Sequence, residues 1–191
     1  MRVPMKTTQA RYEIDRSVFI AYLVPFERFR DSMKRAKERY PKASHIPWAF
    51  RAVDERGRIR EGFSDDGEPK GCAGMPILKV LQGAELVECA VYVVRFFGGI
   101  KLGTGGMARA YAKAASLALK QTQTRLWTPE SNLRVGFSFN DSGKVERLLA
   151  AFEGLEIQRA FDENGVNWHI KGPSDTIERV RSLLEEFKRR G

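Results

Sequence analysis

The sequence predicts a mixed α/β (α+β) protein of two domains, for three reasons. Apolar runs rich in β-branched and aromatic residues alternate with segments whose apolar residues recur at helical spacing. The chain of 191 residues exceeds the commonest size of one domain and suits two small ones. A short stretch over 122–131, polar except for Leu126 and Trp127, is the expected hinge. We therefore expect domains over residues 1–122 and 131–191.

The first domain is predicted to combine strands with three helices. Its helix over 26–40 is amphipathic, with apolar residues on one side and Arg and Lys over the remaining surface. The predicted elements are an extended segment over 9–24 broken at Asp15-Arg16, the helix over 26–40, a hairpin of 45–53 and 58–63 with its turn at Asp54-Glu55-Arg56-Gly57, a helix over 74–81, a strand over 87–96 and a helix over 104–121.

The second domain is predicted to have the order β-α-β-β-α, which is that of a ferredoxin-like fold without its last strand. Its two helices follow polar residues suited to capping, Asp141 and Ser174. The predicted elements are a strand over 132–139, a helix over 142–153, a strand over 155–161, a turn at Glu163-Asn164-Gly165, a strand over 166–171 and a helix over 175–190.

The net charge of +9 lies entirely in the first domain. Residues 1–122 hold 22 Lys and Arg against 13 Asp and Glu, whereas residues 123–191 hold 11 of each. A basic domain beside a neutral one indicates an anionic partner, for which RNA or the ribosome is the natural candidate. The alternative is that the charge only maintains solubility.

The remaining composition indicates a soluble cytoplasmic protein without a membrane segment. No apolar run approaches membrane-spanning length, and residues 1–15 lack the apolar core of a signal peptide. Cys72 and Cys89 have no CxxC spacing, which argues against a disulfide framework and a thiolate zinc site. We expect neither a metal nor another cofactor.

One candidate site is a polar cluster built on the loop over 64–69, which carries three carboxylates within four positions. With one imidazole nearby, these carboxylates suit acid–base chemistry or a divalent cation. Alternatively, Asp66-Gly67 forms a turn while the other carboxylates pair with Arg or cap backbone N–H groups. The candidate residues are His45, Asp65, Asp66 and Glu68.

The other candidate site is a glycine-rich loop between the strand over 87–96 and the helix over 104–121. Glycines permit positive φ and close backbone approach, and free N–H groups at a helix start favour an anion such as phosphate. Alternatively, the glycines only allow tight packing between strand and helix. Phe96, Phe97 and Trp48 either stack on unpaired bases or fill the core. The predicted phosphate or nucleic-acid ligands are Arg95, Gly98, Gly99, Lys101, Gly103, Gly105, Gly106 and Arg109.

These motifs resemble those of the IMPACT family, which includes bacterial YigZ-like members. The matching elements, ungapped and in order, are Ser44-His45 with Ala49, the loop over 64–69, the helix start over 73–78, the run over 95–103 and the run over 105–111. The sequence departs from the family pattern at Lys70, Cys72, Met75 and Phe96.

The resemblance implies a first domain with the fold of the second domain of a small-subunit ribosomal protein, and a second domain similar to one in translocating elongation factors. It also implies translational control for the eukaryotic members. We expect a non-catalytic, cytosolic RNA- or ribosome-associated protein linked to translation regulation. One alternative is an enzyme that acts on a phosphorylated or nucleotide substrate with the carboxylates and His45. Another is an interaction module whose C-terminal domain binds a protein partner.

Overall fold

The structure, a computed structural model, describes residues 1–54 and 56–190, apart from the side chain of residue 190. It divides into two compact units, Met1–Trp127 and the residues from Thr128 onward. The elements are β1 (Arg2–Pro4), β2 (Thr8–Ile14), β3 (Ser17–Pro25), α1 (Phe29–Arg39), β4 (Trp48–Val53), β5 (Ile59–Ser64), α2 (Gly74–Gly83), β6 (Cys89–Phe96), α3 (Gly103–Lys120), β7 (Thr124–Leu126), β8 (Glu130–Phe137), α4 (Phe139–Leu149), β9 (Glu156–Asp162), β10 (Gly165–Pro173) and α5 (Ser174–Arg190).

The first unit is built on an antiparallel sheet in the order β2-β3-β6-β4-β5. Alternate residues of its central strands point to opposite faces. On one face Phe19, Leu23 and Val91 pack with α2 and α3, and on the other Tyr22 and Tyr92 pack with α1. The mixed α/β class predicted from the sequence is confirmed.

The hairpin of β2 and β3 turns at Asp15 and Arg16, whose φ angles are 45° and 62°. Two consecutive positive φ angles make the tight turn that matches the twist of paired strands. The predicted break at these residues is therefore confirmed. The predicted helix over 26–40 is also present, as a 3-10 turn over Phe26–Arg28 followed by α1.

The hairpin predicted from 45–53 and 58–63 is present as β4 and β5, which pair Trp48 with Ser64 and Val53 with Ile59. Its turn was predicted at residues 54–57, of which Glu55 lies outside the described residues. The helix predicted over 74–81 extends as α2 to Gly83.

A short antiparallel ribbon of β1 and β7 was not predicted. It pairs Arg2 with Leu126 and Pro4 with Thr124. Part of the stretch expected to be a polar hinge is therefore a strand of the first unit. Three-residue strands are too short to show a recognisable alternation of apolar and polar residues.

The second unit has the order β-α-β-β-α predicted for it, with an antiparallel sheet in the order β8-β10-β9. Trp168 and Ile170 of β10 are buried against Val145 of α4 and Val180 of α5. The predicted cap of α4 is wrong. The helix begins at Phe139 and is capped by Ser138, whose Oγ accepts from the N–H of Asp141. Ser138 has extended backbone angles, as an N-cap residue requires, whereas Asp141 is already inside the helix.

Candidate functional site

The loop over 64–69 is held in place by its own carboxylates. Asp65 accepts hydrogen bonds from the N–H groups of Gly71 at 2.8 Å, Ala73 at 3.1 Å and Gly74 at 2.8 Å. Partial burial raises the pKa of Asp65, but these three donors outweigh it and hold the pKa below its usual range. Asp65 therefore supplies the side-chain cap that the start of α2 would otherwise lack.

Asp66 fastens the same loop to the segment before β4. Its Oδ2 accepts from the N–H of Ile46 at 2.6 Å, and its carbonyl oxygen lies 2.8 Å from His45 Nδ1. Asp66 and Gly67 both have positive φ, 49° and 84°, and form a turn. Asp65 and Asp66 therefore follow the alternative in which Asp66-Gly67 forms a turn and a neighbouring carboxylate caps backbone N–H groups.

Glu68 forms an ion pair below the surface with Arg95. Arg95 Nη1 donates to Glu68 Oε1 at 2.5 Å, and the hydroxyl of Tyr111 donates to the same oxygen at 2.6 Å. The two ion-paired residues are only 8% and 5% exposed. Burial, followed by the hydrogen bond to Glu68, raises the pKa of Tyr111 above its ordinary value.

The four residues of the predicted polar cluster are therefore close together, since His45 Nε2 lies 3.9 Å from Glu68 Oε2. Their carboxylates, however, bind groups of the protein itself. In residues 1–54 and 56–190, no group of three or more His, Cys, Asp or Glu side chains is placed to hold a metal ion.

Arg95 does not have the position expected of a phosphate ligand. Its guanidinium is buried beside Glu68, Met107 and the ring of Phe19. A buried cation needs an internal counter-charge, and Glu68 supplies it. This burial corrects the sequence prediction that Arg95 is a phosphate or nucleic-acid ligand.

The glycine-rich loop is anchored on the segment before β4 and on the start of β3. The N–H of Phe97 donates to Ser44 Oγ at 3.1 Å, and that of Gly98 donates to Ser17 Oγ at 3.2 Å. A Cβ on Gly98 would clash with the backbone of Arg16 and Ser17, so only glycine fits there. Gly98 therefore serves close packing, but against the turn between β2 and β3 and not between strand and helix as the alternative supposed.

The start of α3 is open to solvent. Gly103, Thr104 and Gly105 are exposed, Gly106 is half-buried, and no side chain caps the helix. Gly103 has a φ of 69°, which glycine adopts without strain. The first N–H groups of a helix have no carbonyl partner within it, so those of this turn are available to an anion.

Two exposed cationic side chains belong to this loop or lie beside it, and a third cationic residue contacts it through its backbone. Lys101 and Arg109 are exposed, and Arg109 Nη1 would lie 3.3 Å from a Cβ on Gly105. The third is Arg16, whose backbone contacts Gly98. No ion pair of these three residues occurs within the described part of the chain. The sequence did not indicate Arg16, because its proximity depends on the contact with Gly98.

The three aromatic residues considered for base stacking have different surroundings. Phe96 is half-buried and packs against Tyr40, and Trp48 is stacked on Phe50. Phe97 is 50% exposed, and one side of its ring faces the Arg95 guanidinium, 5.6 Å from the ring centre. Phe97 is thus the member of this set that presents a ring to solvent.

The helix-free face of the second sheet contains a hollow that the sequence did not indicate. The hollow has a volume of about 430 Å³. Its lining includes His169, which lies between Arg134 and Gln158 in the strand register. This face is polar. The larger apolar side chains exposed in this sheet, Ile157 and Phe161, are both on β9.

The comparisons with known proteins cover almost the whole chain. Residues 15–119 match the Impact N-terminal domain. An IMPACT family member of Haemophilus influenzae is 34% identical over 96% of this chain and 90% of its own length. The IMPACT family member YigZ of Escherichia coli is 31% identical over 98% of this chain and 93% of its own length.

This chain is also similar to a solved structure described as that of a hypothetical protein. It superposes with a TM-score of 0.74, at 29% identity, over 98% of this chain and 92% of its own. In the described residues, no helix is both long enough and apolar enough to cross a membrane. With a domain match over more than half of the residues and two relatives above 30% identity along nearly the full length, this chain belongs to the IMPACT family.

Proposed function

We propose that the protein is a non-catalytic RNA- or ribosome-associated protein linked to translation, and that it binds RNA phosphates at the start of α3. The observation that carries this proposal is the exposed turn Gly103–Gly105, with the exposed Lys101 two positions before it and Arg109 beside Gly105. Backbone N–H groups fix the position of a phosphate, and cations supply the attraction.

The charge distribution supports the same proposal. The first domain carries the whole net charge of +9, and part of it comes from exposed cations of α1, on the opposite face of the sheet. A surface of this kind attracts a polyanion from a distance, whereas the rigid turn selects where one phosphate sits. The exposed cations of α1 include Arg30, Lys34, Arg35, Lys37 and Arg39.

The test is to measure RNA affinity against salt concentration for the wild type and two charge-matched variants. The first carries Lys101→Glu with Arg109→Glu, and the control carries Lys79→Glu with Lys113→Glu, which are exposed lysines outside the loop. We expect the wild-type affinity to fall steeply with salt. We expect the first variant to lose at least about tenfold in affinity and about 1.4 from the slope of log K against log salt, since each single-strand phosphate contributes about 0.7.

Salt-independent binding, or equal losses in both variants, would remove the proposal. The enzyme alternative has no comparable observation in its favour. It requires solvent access to the carboxylates opposite the glycine loop, but Glu68 is buried in an ion pair and Asp65 caps backbone N–H groups.

A further inference from the structure

We infer that Phe97 is a stacking platform for an unpaired base, so that the RNA bound at the start of α3 is single-stranded. This inference rests on the proposed function, because it specifies the form of the RNA. It starts from the fact that Phe97 is 50% exposed although its neighbour Phe96 packs inward. An exposed large aromatic ring in a basic loop is a typical surface for a nucleobase.

The ring of Phe97 is supported from inside the protein. The Arg95 guanidinium lies 5.6 Å from its centre and the same distance from the centre of Phe19, which is fully buried. Arg95 is itself held by Glu68. The inner side of the ring is thus occupied by a fixed cation, and the ring retains an exposed area for a ligand.

The backbone that carries the ring is also fixed. The N–H of Phe97 is bonded to Ser44, and Gly98 is packed against the turn that contains Arg16. A side chain already held in one position loses little conformational freedom when a base stacks on it. The platform is therefore preorganised.

The ring and the phosphate site belong to one short loop. Gly103 lies six positions after Phe97, so the two are within about 22 Å of each other, even for a fully extended chain. A few nucleotides of one strand can therefore reach both sites. In a duplex the bases are stacked on each other and paired, and their faces are not accessible to a protein ring.

A second explanation of Phe97 is that it only covers the buried Glu68–Arg95 ion pair. The two explanations differ in which substitutions they tolerate. Leucine keeps an apolar cover but removes the aromatic face, whereas tryptophan keeps both. Phe63→Leu is a matched control, since Phe63 is 42% exposed on β5 and outside the loop.

The experiment measures fluorescence anisotropy of a labelled uridine-rich single strand and of the same strand in a duplex, with the full chain. We expect wild type to bind the single strand more tightly than the duplex. Phe97→Leu should weaken single-strand binding about 5- to 150-fold, because one stacked base contributes about 1–3 kcal/mol. It should leave duplex binding and the melting temperature unchanged. Phe97→Trp and Phe63→Leu should both bind like wild type.

The outcomes separate this inference from the proposed function. If Phe97→Leu binds the single strand normally while Lys101→Glu with Arg109→Glu does not, the stacking inference is wrong and the phosphate site stands. If Phe97→Leu lowers the melting temperature and weakens both RNA forms equally, Phe97 is a cover for the ion pair. If wild type binds neither RNA, both proposals fail.

Discussion

Arg95 at the end of β6 donates to Glu68 of the loop over 64–69, with 2.5 Å between Nη1 and Oε1 and both side chains almost fully buried. This bond joins the two motifs that dominate the sequence. It places their link inside the protein, where each of the two charges supplies the counter-charge of the other.

Glu68→Gln should strongly destabilise the first unit, because it leaves the Arg95 cation buried without a counter-charge. We expect a loss of about 3–5 kcal/mol in the free energy of unfolding, measured with urea. Glu13→Gln, which removes an exposed ion pair with Arg11, is the control and should lose less than about 1 kcal/mol. Similar small losses in both variants would show that the buried pair contributes no more than a surface one.

Tyr111 should make stability fall at alkaline pH. Its pKa is raised in the folded protein, so its contribution is complete below its unfolded pKa of about 10 and is lost as the pH rises through the higher folded value. Above pH 10 the unfolding free energy should therefore fall by about 1.4 kcal/mol per pH unit for this residue. Tyr111→Phe should have a shallower decline in urea titrations, and an unchanged slope would contradict the assignment. Burial also raises the pKa of Tyr22 and Tyr92, so part of the decline will remain.

Asp65→Asn should destabilise the protein at neutral pH but not in acid. Asp65 has a lowered pKa in the folded state, so its contribution is present above its unfolded pKa of about 4 and is lost as the pH falls through the lower folded value. We expect a loss of about 1–2 kcal/mol at pH 7, as for other side-chain caps. Urea unfolding at a series of pH values should show the difference from wild type shrinking below pH 4. A difference that does not depend on pH would mean that the charge of Asp65 is unimportant.

Gly98→Ala should be destabilising, because its Cβ would clash with backbone atoms of Arg16 and Ser17, which cannot move aside as a flexible side chain would. We expect a loss of about 1–3 kcal/mol in urea unfolding. Gly83→Ala is the control, since a Cβ there meets nothing within 4 Å, and it should leave stability unchanged or raise it by up to about 1 kcal/mol, because Gly83 is in a helix. Equal effects would show that the loop adapts to the extra carbon.

Most of the helices and strands could be predicted because their apolar residues recur at regular spacing. The amphipathic α1 and the alternating burial of β8 and β10 show this. The pairing of β1 with β7 could not be predicted, since it joins three-residue segments more than a hundred residues apart.

The candidate site was predictable in its residues but not in their environments. The sequence identified the glycines, Lys101 and Arg109, yet it could not distinguish Arg95 from them, because all three cations lie in one polar, glycine-rich run. Which cation is buried depends on Glu68, 27 positions away in the chain. The position of Arg16 beside Gly98 likewise depends on a contact between distant segments.

The β1–β7 ribbon brings the two ends of the first unit together, and the N–H of Trp127 donates to the carbonyl oxygen of Met1 at 3.2 Å. Adjacent ends are what a circular permutation needs. A few glycines and serines should connect residue 127 to residue 1, and new ends can be opened at the exposed turn around Gly57. Such a rearranged unit would carry the proposed phosphate site and Phe97 into a host protein.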